Sequence, residues 1–355
     1  MRIRSIVCLI LGTALAVGFS ACSIIDDDLS DCGEDLEDLK LHYDLHLVTD
    51  LSIELQKELD RRIDANLVKA LKDYTAPVFT DYAYDLDLSF YDTQGDLARL
   101  HHEQHQMNKP SNEMSYTIYL PRRQYRHLAV ANVAGNGVTS FEGSDLAQTS
   151  QLRLSQDDHV TPHKTGLFTA RQMVHLEDGV SKTQYIHMYM VNCGAALVLD
   201  TSEATLKDLK VVATGFATQF NIADSTYVFA DNAPVVVTDK IETKTDGQRC
   251  FCTINFPSRE PGAIKTREIF NTEEPFFSVD APNALWEFRV YATLLDGTVT
   301  ESVLGVSKPL RAGQFKILHA NVYKNGGLVP DPDEPEVAVS VTLDWKEAGH
   351  YETPL

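Results

Sequence analysis

In the stretch Tyr82-Ala83-Tyr84-Asp85-Leu86-Asp87-Leu88-Ser89-Phe90, every second residue is a large apolar or aromatic one. Successive side chains of a β-strand point to opposite faces of the sheet, so this period of two predicts a half-buried strand. The residues that follow, Asp92-Thr93-Gln94-Gly95, are typical of a turn. A strand that ends in a turn is therefore the unit from which we expect the fold to be built.

The same alternation recurs on both sides of this stretch, in segments separated by turn residues. The predicted strands include residues 41–48, 116–120, 195–199, 286–294 and 337–345. Short strands spaced by turns through two such halves predict an all-β fold of two β-sandwiches in series. The first and last of these strands, 41–48 and 337–345, are expected to form sheet edges, where another chain can add a strand.

One helix is predicted near the N-terminus. Its apolar residues recur every four positions in a charged background, at Leu55, Leu59, Ile63, Leu67 and Leu71. This spacing predicts an amphipathic helix over about 51–72 whose apolar face packs against a sheet. Asp50 or Ser52 is expected to cap its first turn.

The chain begins with the pattern of an export leader. Arg2 and Arg4 precede an apolar run, 6–19, that is too short to span a bilayer. The segment Phe19-Ser20-Ala21-Cys22 resembles the bacterial lipobox, which implies cleavage before Cys22 and acylation of its sulfur. Each buried methylene adds about 0.8 kcal/mol of membrane affinity, so a multiply acylated terminus is held firmly. An ordinary secretion leader that happens to contain a cysteine is the alternative.

An acidic run follows Cys22. Its members are Asp26, Asp27, Asp28, Asp31, Glu34, Asp35, Glu37 and Asp38. Like charges at this density repel one another and bury little apolar area, which predicts a solvated tether over 22–39. The run also resembles the acidic signal that follows the lipidated cysteine in surface lipoproteins of Bacteroidetes, although a plain spacer is an alternative. We therefore expect a lipid-anchored protein of the outer membrane that faces the cell surface.

The 355 residues are thus divided into four parts: a lipoprotein signal peptide at 1–21, the acidic tether at 22–39, an N-terminal sandwich at 40–180 and a C-terminal sandwich at 181–355. Loss of the leader removes Arg2 and Arg4 and changes the net charge from −20 to −22. A chain this acidic repels the phosphates of nucleic acid and of anionic lipid headgroups. Nucleic acid is therefore not an expected partner.

Four cysteines remain after cleavage and acylation: Cys32, Cys193, Cys250 and Cys252. Cys250 and Cys252 are two residues apart in a strand-like run, so they share one face and are poorly placed to bond each other. Either can pair with Cys32 or Cys193, and the sequence leaves the connectivity open. A Cys-x-Cys pair without further ligands is a weak zinc signal, and neither a metal nor a cofactor is predicted.

The chain contains no complete catalytic motif, and no catalytic residue is predicted. The run His101-His102-Glu103-Gln104-His105 lacks the metalloprotease spacing, and we expect it in an exposed loop or edge strand. His159 and His163 are expected in another exposed loop. The tripeptide Asp224-Ser225-Thr226 resembles an O-glycosylation acceptor of Bacteroidetes, and whether it is glycosylated stays open.

Several segments, in order, resemble the FimB/Mfa2 family of fimbrial anchor subunits from Bacteroidales. The first is the lipobox together with the acidic run that follows it and ends in Leu29-Ser30-Asp31-Cys32. The others are Asp87-Leu88-Ser89-Phe90-Tyr91-Asp92-Thr93-Gln94-Gly95, Tyr116-Thr117-Ile118-Tyr119-Leu120-Pro121, Leu128-Ala129-Val130-Ala131-Asn132, Pro309-Leu310-Arg311-Ala312-Gly313-Gln314 and Val339-Ser340-Val341-Thr342-Leu343-Asp344-Trp345. The resemblance covers essentially the whole mature chain. It implies two transthyretin-like β-sandwich domains, no enzymatic activity, and a place at the base of a fimbrium. Fimbrial shaft or accessory subunits are the implied partners, joined by strand pairing, and the anchor would limit fibre length.

Two other functions stay open. A surface glycan-binding lipoprotein should expose an aromatic platform, whereas Trp286 and Trp345 both lie in core-like alternation. A lipid-anchored hydrolase should show a cleft with perturbed carboxylates or a pair of histidines.

Overall fold

The structure is a computed structural model that describes residues 36–60, 65–155, 159–176, 182–230, 234–242, 244, 246–261, 284–332 and 337–342. Strands dominate these residues, which confirms the predicted all-β class. The predicted leader, the acylation site Cys22, the acidic residues up to Asp35 and Trp345 lie outside the described residues.

The strands of the first half, in chain order, are β1 (Leu36–His46), β2 (Ala83–Tyr91), β3 (Arg99–Ser111), β4 (Glu113–Pro121), β5 (Gln124–Ala131), β6 (Thr139–Glu142), β7 (Gln151–Leu154), β8 (His159–Val160), β9 (Phe168–His175) and β10 (Lys182–Met190). Those of the second half are β11 (Cys193–Asp200), β12 (Leu206–Thr214), β13 (Gln219–Asn221), β14 (Thr226–Val228), β15 (Val235–Val237), β16 (Asp239–Ile241), β17 (Gln248–Asn255), β18 (Trp286–Leu294), β19 (Val299–Val306), β20 (Phe315–Val322), β21 (Leu328–Pro330) and β22 (Val337–Thr342).

In the described part of the chain these strands form four sheets. The seven-stranded sheet has the order β3-β2-β5-β9-β10-β1-β4. The five-stranded sheet has the order β16-β17-β11-β20-β21, and the six-stranded sheet has the order β22-β19-β18-β12-β15-β8. A four-stranded sheet, β14-β13-β7-β6, completes the set.

Strand β1 differs from its prediction in two ways. It begins at Leu36, inside the range predicted as tether, because Leu39 is fully buried and Glu37 forms an ion pair with Arg122. The prediction that this strand forms a sheet edge is also wrong. Strand β10 pairs with β1 in parallel on one side, and β4 pairs with it antiparallel on the other. The other predicted edge is confirmed for its described residues, since β22 is the outermost strand of the six-stranded sheet.

Strand β2 carries the stretch whose alternation predicted the fold. Leu86, Leu88 and Phe90 are buried as predicted, but Tyr84 is exposed. The pairing with β3 shifts between Ala83 and Asp85, which marks a β-bulge. Ala83 is buried in the same core as Leu86, so the alternation changes phase at this irregularity and Tyr84 is left exposed.

Helices occupy the predicted region. They are α1 (Leu51–Asp60) and α2 (Ala65–Thr75), and residues 61–64 between them are not among the described residues. Leu55, Leu67 and Leu71 are buried as predicted, whereas Leu59 is 43% exposed. The carboxylate of Asp50 accepts the backbone N–H of Phe315 at 2.6 Å, so this side chain links the start of α1 to β20.

The core is divided by the five-stranded sheet, which is covered on both faces. The first core lies between the seven-stranded sheet, the two helices and one face of β11, where Ala196 and Val198 are buried. The second lies on the opposite face, where Leu197 and Leu199 meet the six-stranded and four-stranded sheets. Trp286 is 1% exposed in this second core, as predicted.

The chain changes sheets between β10 and β11. Strand β10 pairs with β1 and β9 in the seven-stranded sheet, and β11 belongs to the five-stranded sheet. The two halves also share the first core. The division of the sandwiches at residues 180 and 181 stays a prediction.

The described cysteines are all free and buried. Cys250 and Cys252 share one face, as predicted, and lie in the first core, whereas Cys193 lies in the second. The sheet itself therefore separates Cys193 from the other two and rules out a disulfide between them. Burial raises the pKa of all three thiols, which keeps them protonated and unreactive. Cys32 lies outside the described residues.

Candidate functional site

One end of the seven-stranded sheet presents an exposed surface, which we call the outer face. It is formed where β4, β1 and β10 lie side by side, by the side chains that point away from the first core. These side chains are Glu113, Ser115, Thr117 and Tyr119 of β4, Lys40, His42, Asp44 and His46 of β1, and Thr183, Tyr185, His187 and Tyr189 of β10.

The strand register sets which of these residues meet. Parallel pairing places His42 beside Tyr185, Asp44 beside His187, and His46 beside Tyr189. Antiparallel pairing places Glu113 on the other side of Asp44. Because Cβ atoms of directly paired residues are about 5 Å apart, each row across the three strands is a set of touching side chains.

Asp44 and His187 of one row and His46 of the next row form a compact cluster, the histidine–aspartate cluster. One carboxylate oxygen of Asp44 lies 2.5 Å from His46 Nε2, and the other lies 2.6 Å from His187 Nδ1. The two ring nitrogens are 3.0 Å apart. Two imidazoles and a carboxylate, which are common types of metal ligand, therefore direct their donor atoms toward a shared point between them.

Two exposed tyrosines lie on either side of His187 on β10, and a third lies farther along the outer face on β4. Tyr185 is 68% exposed, Tyr119 58% and Tyr189 54%. The ring of His42 stacks on Tyr185 with centroids 5.2 Å apart, and its Nδ1 lies 2.6 Å from the hydroxyl of Ser115. The outer face thus combines flat, exposed rings with polar groups that are already held in place.

The sequence did not predict this grouping. Asp44 and His46 lie some 140 residues before His187, and the three meet through the parallel pairing of β1 with β10. Parallel strands need a long crossover, so their partners cannot be read from neighbouring sequence. The local signal that was available is the alternation His42, Asp44, His46, which places three polar residues on one face of a strand.

The histidines that the sequence did single out lie elsewhere. His101, His102 and His105 are on β3, which is an edge strand as predicted. His102 lies 2.8 Å from the carboxylate of Asp87, and the other two lie 2.9 Å from Glu103. These histidines thus lie against acids on β3 itself and on the neighbouring strand β2.

His163 was expected in an exposed loop, and this prediction is wrong. It is 2% exposed, its ring packs edge-on against Phe256, and its Nδ1 lies 2.6 Å from the side-chain amide of Asn192. Burial lowers the pKa of His163 to about 3, so the ring is neutral at physiological pH. His159 is exposed, as predicted, but it lies in the short strand β8 and not in a loop.

Asp224, Ser225 and Thr226 form an exposed turn between β13 and β14. Both the hydroxyl and the backbone N–H of Thr226 donate to Asp224 Oδ1, at 2.6 and 3.1 Å. Ser225 has a φ of +59°. The structure therefore explains the tripeptide as turn chemistry, and its glycosylation stays a prediction.

Two partly buried carboxylates with a raised pKa, Asp50 and Asp85, have structural roles. Burial raises the pKa of Asp50 and of Asp85. Each also accepts backbone N–H groups, from Phe315 in the first case and from Val133 in the second. The guanidinium of Arg289 is also buried. Its Nη2 lies 2.9 Å from Glu287 Oε1, and its Nη1 lies 3.2 Å from Glu301 Oε1. These acids hold strands and loops together.

The comparison with protein families decides the identification. The family of fimbrillin-A associated anchor proteins Mfa1 and Mfa2 matches residues 48–238, which is more than half of the chain. The chain belongs to this family. Membership confirms the resemblance found in the sequence and gives this family member a role associated with fimbriae.

Solved structures of Bacteroidales proteins are similar to this family member. The fimbrial anchor protein Mfa2 from Porphyromonas gingivalis is 13% identical, with 86% of this chain and 97% of that chain covered and a TM-score of 0.45. The tip fimbrial protein Mfa3 from the same organism is 12% identical, with 87% and 100% covered and a TM-score of 0.38. No curated protein matches the chain. Among the described residues, no helix is both long and apolar enough to cross a bilayer.

Proposed function

We propose that this protein is a non-enzymatic anchor lipoprotein that holds a fimbrium to the outer membrane and limits its length. The observation that carries the proposal is the family match over residues 48–238. The lipobox ending at Cys22 supports lipid anchorage, and the acidic run after it supports exposure at the cell surface.

The joint with the fibre is proposed to be strand pairing with a fimbrial subunit. Strand addition gives a continuous row of main-chain hydrogen bonds, while alternate side chains supply specificity. Strand β22 supports this part of the proposal, because it is an edge strand with apolar residues and no charge over Val337–Thr342. Natural edges are usually guarded by charges, and β22 lacks that protection.

Gene deletion with complementation tests the proposal. Loss of the gene should release fimbriae into the medium or lengthen them, and the wild-type gene should restore short, cell-bound fibres. The Cys22→Ala variant should be produced and folded but should not take up a fatty-acid probe or restore anchorage. Normal cell-bound fibres in the deletion strain would refute the anchor function, and a Cys22→Ala protein that stays acylated would refute the lipid site.

Glycan binding is a second candidate function, and the outer face favours it. Tyr185, Tyr189 and Tyr119 expose flat rings on a rigid sheet, the kind of platform on which sugar rings stack. A glycan array on the purified chain tests this candidate. The glycans that bind the wild-type chain should bind the Tyr185→Ala variant more weakly. They should bind the Tyr323→Ala variant as before, because Tyr323 is 45% exposed but lies outside the outer face.

A further inference from the structure

We propose that Asp44, His46 and His187 form a binding site for one divalent transition-metal ion on the outer face. The site has two imidazole nitrogens and a carboxylate, a donor set that suits Zn²⁺ and related ions. It is independent of the proposed anchor function, because it rests on the geometry of the cluster alone.

The separation of the two ring nitrogens fits a shared ion. Zinc–nitrogen bonds are about 2.0–2.1 Å long, so two ligands of one ion lie about 2.9–3.4 Å apart for angles between 90° and 110°. His46 Nε2 and His187 Nδ1 are 3.0 Å apart. The oxygens of Asp44 lie 2.5 and 2.6 Å from these nitrogens, which are hydrogen-bond distances, so the carboxylate has to draw back slightly when an ion enters.

Protons cannot satisfy all three contacts together. A neutral imidazole has one N–H and one acceptor nitrogen. If both facing nitrogens carry a proton, each donates to its own oxygen of Asp44, and the two donors lie 3.0 Å apart with no hydrogen bond between them. If one of them is bare, its lone pair faces a carboxylate oxygen at 2.5 or 2.6 Å. A cation between the three groups accepts a lone pair from each and removes this conflict.

The site is held on rigid elements and is open to solvent. Its ligands lie on two adjacent strands in the interior of the sheet, an arrangement that fixes geometry better than loops do. The side chains of Asp44, His46 and His187 are 35, 41 and 51% exposed, so an ion can enter. Glu113 is paired with Asp44 on the same face and is the candidate for a fourth ligand.

Metal titration of the mature chain, produced without a histidine tag and stripped with a chelator, tests the site. Equilibrium dialysis with Zn²⁺ should reach saturation at one ion per chain. Co²⁺ should give visible absorption bands that report nitrogen and oxygen coordination, and Zn²⁺ should abolish them. His46→Ala and His187→Ala should each weaken binding by at least about tenfold, on the scale of known changes around metal ligands.

His42→Ala is the matched control, because His42 lies on the same strand and the same face but outside the cluster. It should bind Zn²⁺ as the wild-type chain does. Circular dichroism should be unchanged in all three variants, since the replaced side chains are at the surface. Equal binding by wild type and His187→Ala, an equal loss in His42→Ala, or a loss found instead in His102→Ala on β3 would each overturn the proposal.

Discussion

At the scale of single residues, the interior contains polar groups whose partners are fully specified. His127 is completely buried in the first half of the chain. Its Nε2 lies 2.8 Å from the hydroxyl of Tyr43, its Nδ1 lies 3.0 Å from the carbonyl of Ser89, and its ring stacks on Phe90 at 4.2 Å. With Nδ1–H donating to the carbonyl, Nε2 is free to accept from the tyrosine, so the neutral ring satisfies both contacts.

This environment predicts a loss of stability in mild acid. Burial lowers the pKa of His127 from 6.5 to about 4. Between these values the unfolded chain binds a proton that the folded chain does not. The stabilising contribution is therefore complete above pH 6.5 and is lost as pH falls toward 4, by about 3 kcal/mol at 1.36 kcal/mol per pH unit. The free energy of unfolding, measured by urea denaturation at several pH values, should fall over this range.

His127→Gln isolates that contribution. Glutamine keeps hydrogen-bonding groups at the site but does not titrate, so the variant should be less stable at pH 7 and should show a shallower fall between pH 6.5 and 4. His159→Gln serves as the control, because this histidine is exposed in β8 and its replacement should leave the slope unchanged. Parallel pH profiles for wild type and His127→Gln would contradict the assignment.

At the scale of secondary-structure elements, helix α1 is fixed to the five-stranded sheet by polar contacts as well as by apolar packing. Asp50 accepts the N–H of Phe315 at the first residue of β20. Two turns further on, Glu58 lies 2.8 Å from His319 Nε2 in the same strand, and both side chains are less than 10% exposed. These two links set the position of α1 along β20.

Removal of both members of the buried pair should cost less free energy of unfolding than the two single removals added together. Glu58→Leu leaves the His319 ring without a partner, which costs about 1–3 kcal/mol, and His319→Leu leaves a buried carboxylate. The double variant should be destabilised by less than the sum of the single ones, as shown by a double-mutant cycle in urea. Gln56→Ala, on the exposed side of α1, should change stability by no more than about 0.5 kcal/mol. Strict additivity would show that the two side chains do not interact.

Local patterns predicted the elements but not their neighbours. The alternation of Leu41, Tyr43 and Leu45 predicted β1 because burial follows side-chain period, and a spacing of four did the same for Leu55, Leu67 and Leu71. The register shift near Tyr84 and the parallel partner of β1 were not predicted, because both depend on how strands pair and not on the pattern within one strand. The histidine–aspartate cluster was missed for that reason, since its members share a site through sheet topology alone.

At the scale of the whole molecule, the sheet edges decide where another chain can add a strand. Strand β3 at one end of the seven-stranded sheet carries histidines and charged residues, which discourage pairing. Strand β4 at the other end begins with Glu113 and ends with Pro121. Strand β22 is uncharged, and Val337 and Val339 are packed against the second core. Of these three edges, β22 is the one to which we assign the proposed strand pairing.

A charge on this edge should weaken the joint without unfolding the sandwich. Ala338 is exposed in β22, opposite Gly305 of β19, so a lysine there can extend into solvent while the strand stays paired. Ala338→Lys should reduce the recovery of a fimbrial subunit that co-purifies with the anchor in mild denaturant. Thr117→Lys places the same charge at an exposed position of edge strand β4 and should leave the recovery unchanged.

If Thr117→Lys abolishes the complex and Ala338→Lys does not, the joint lies on the seven-stranded sheet. If neither variant changes a stable complex, the assignment of the joint to β22 is contradicted, because a charged side chain on an edge strand discourages the addition of another strand.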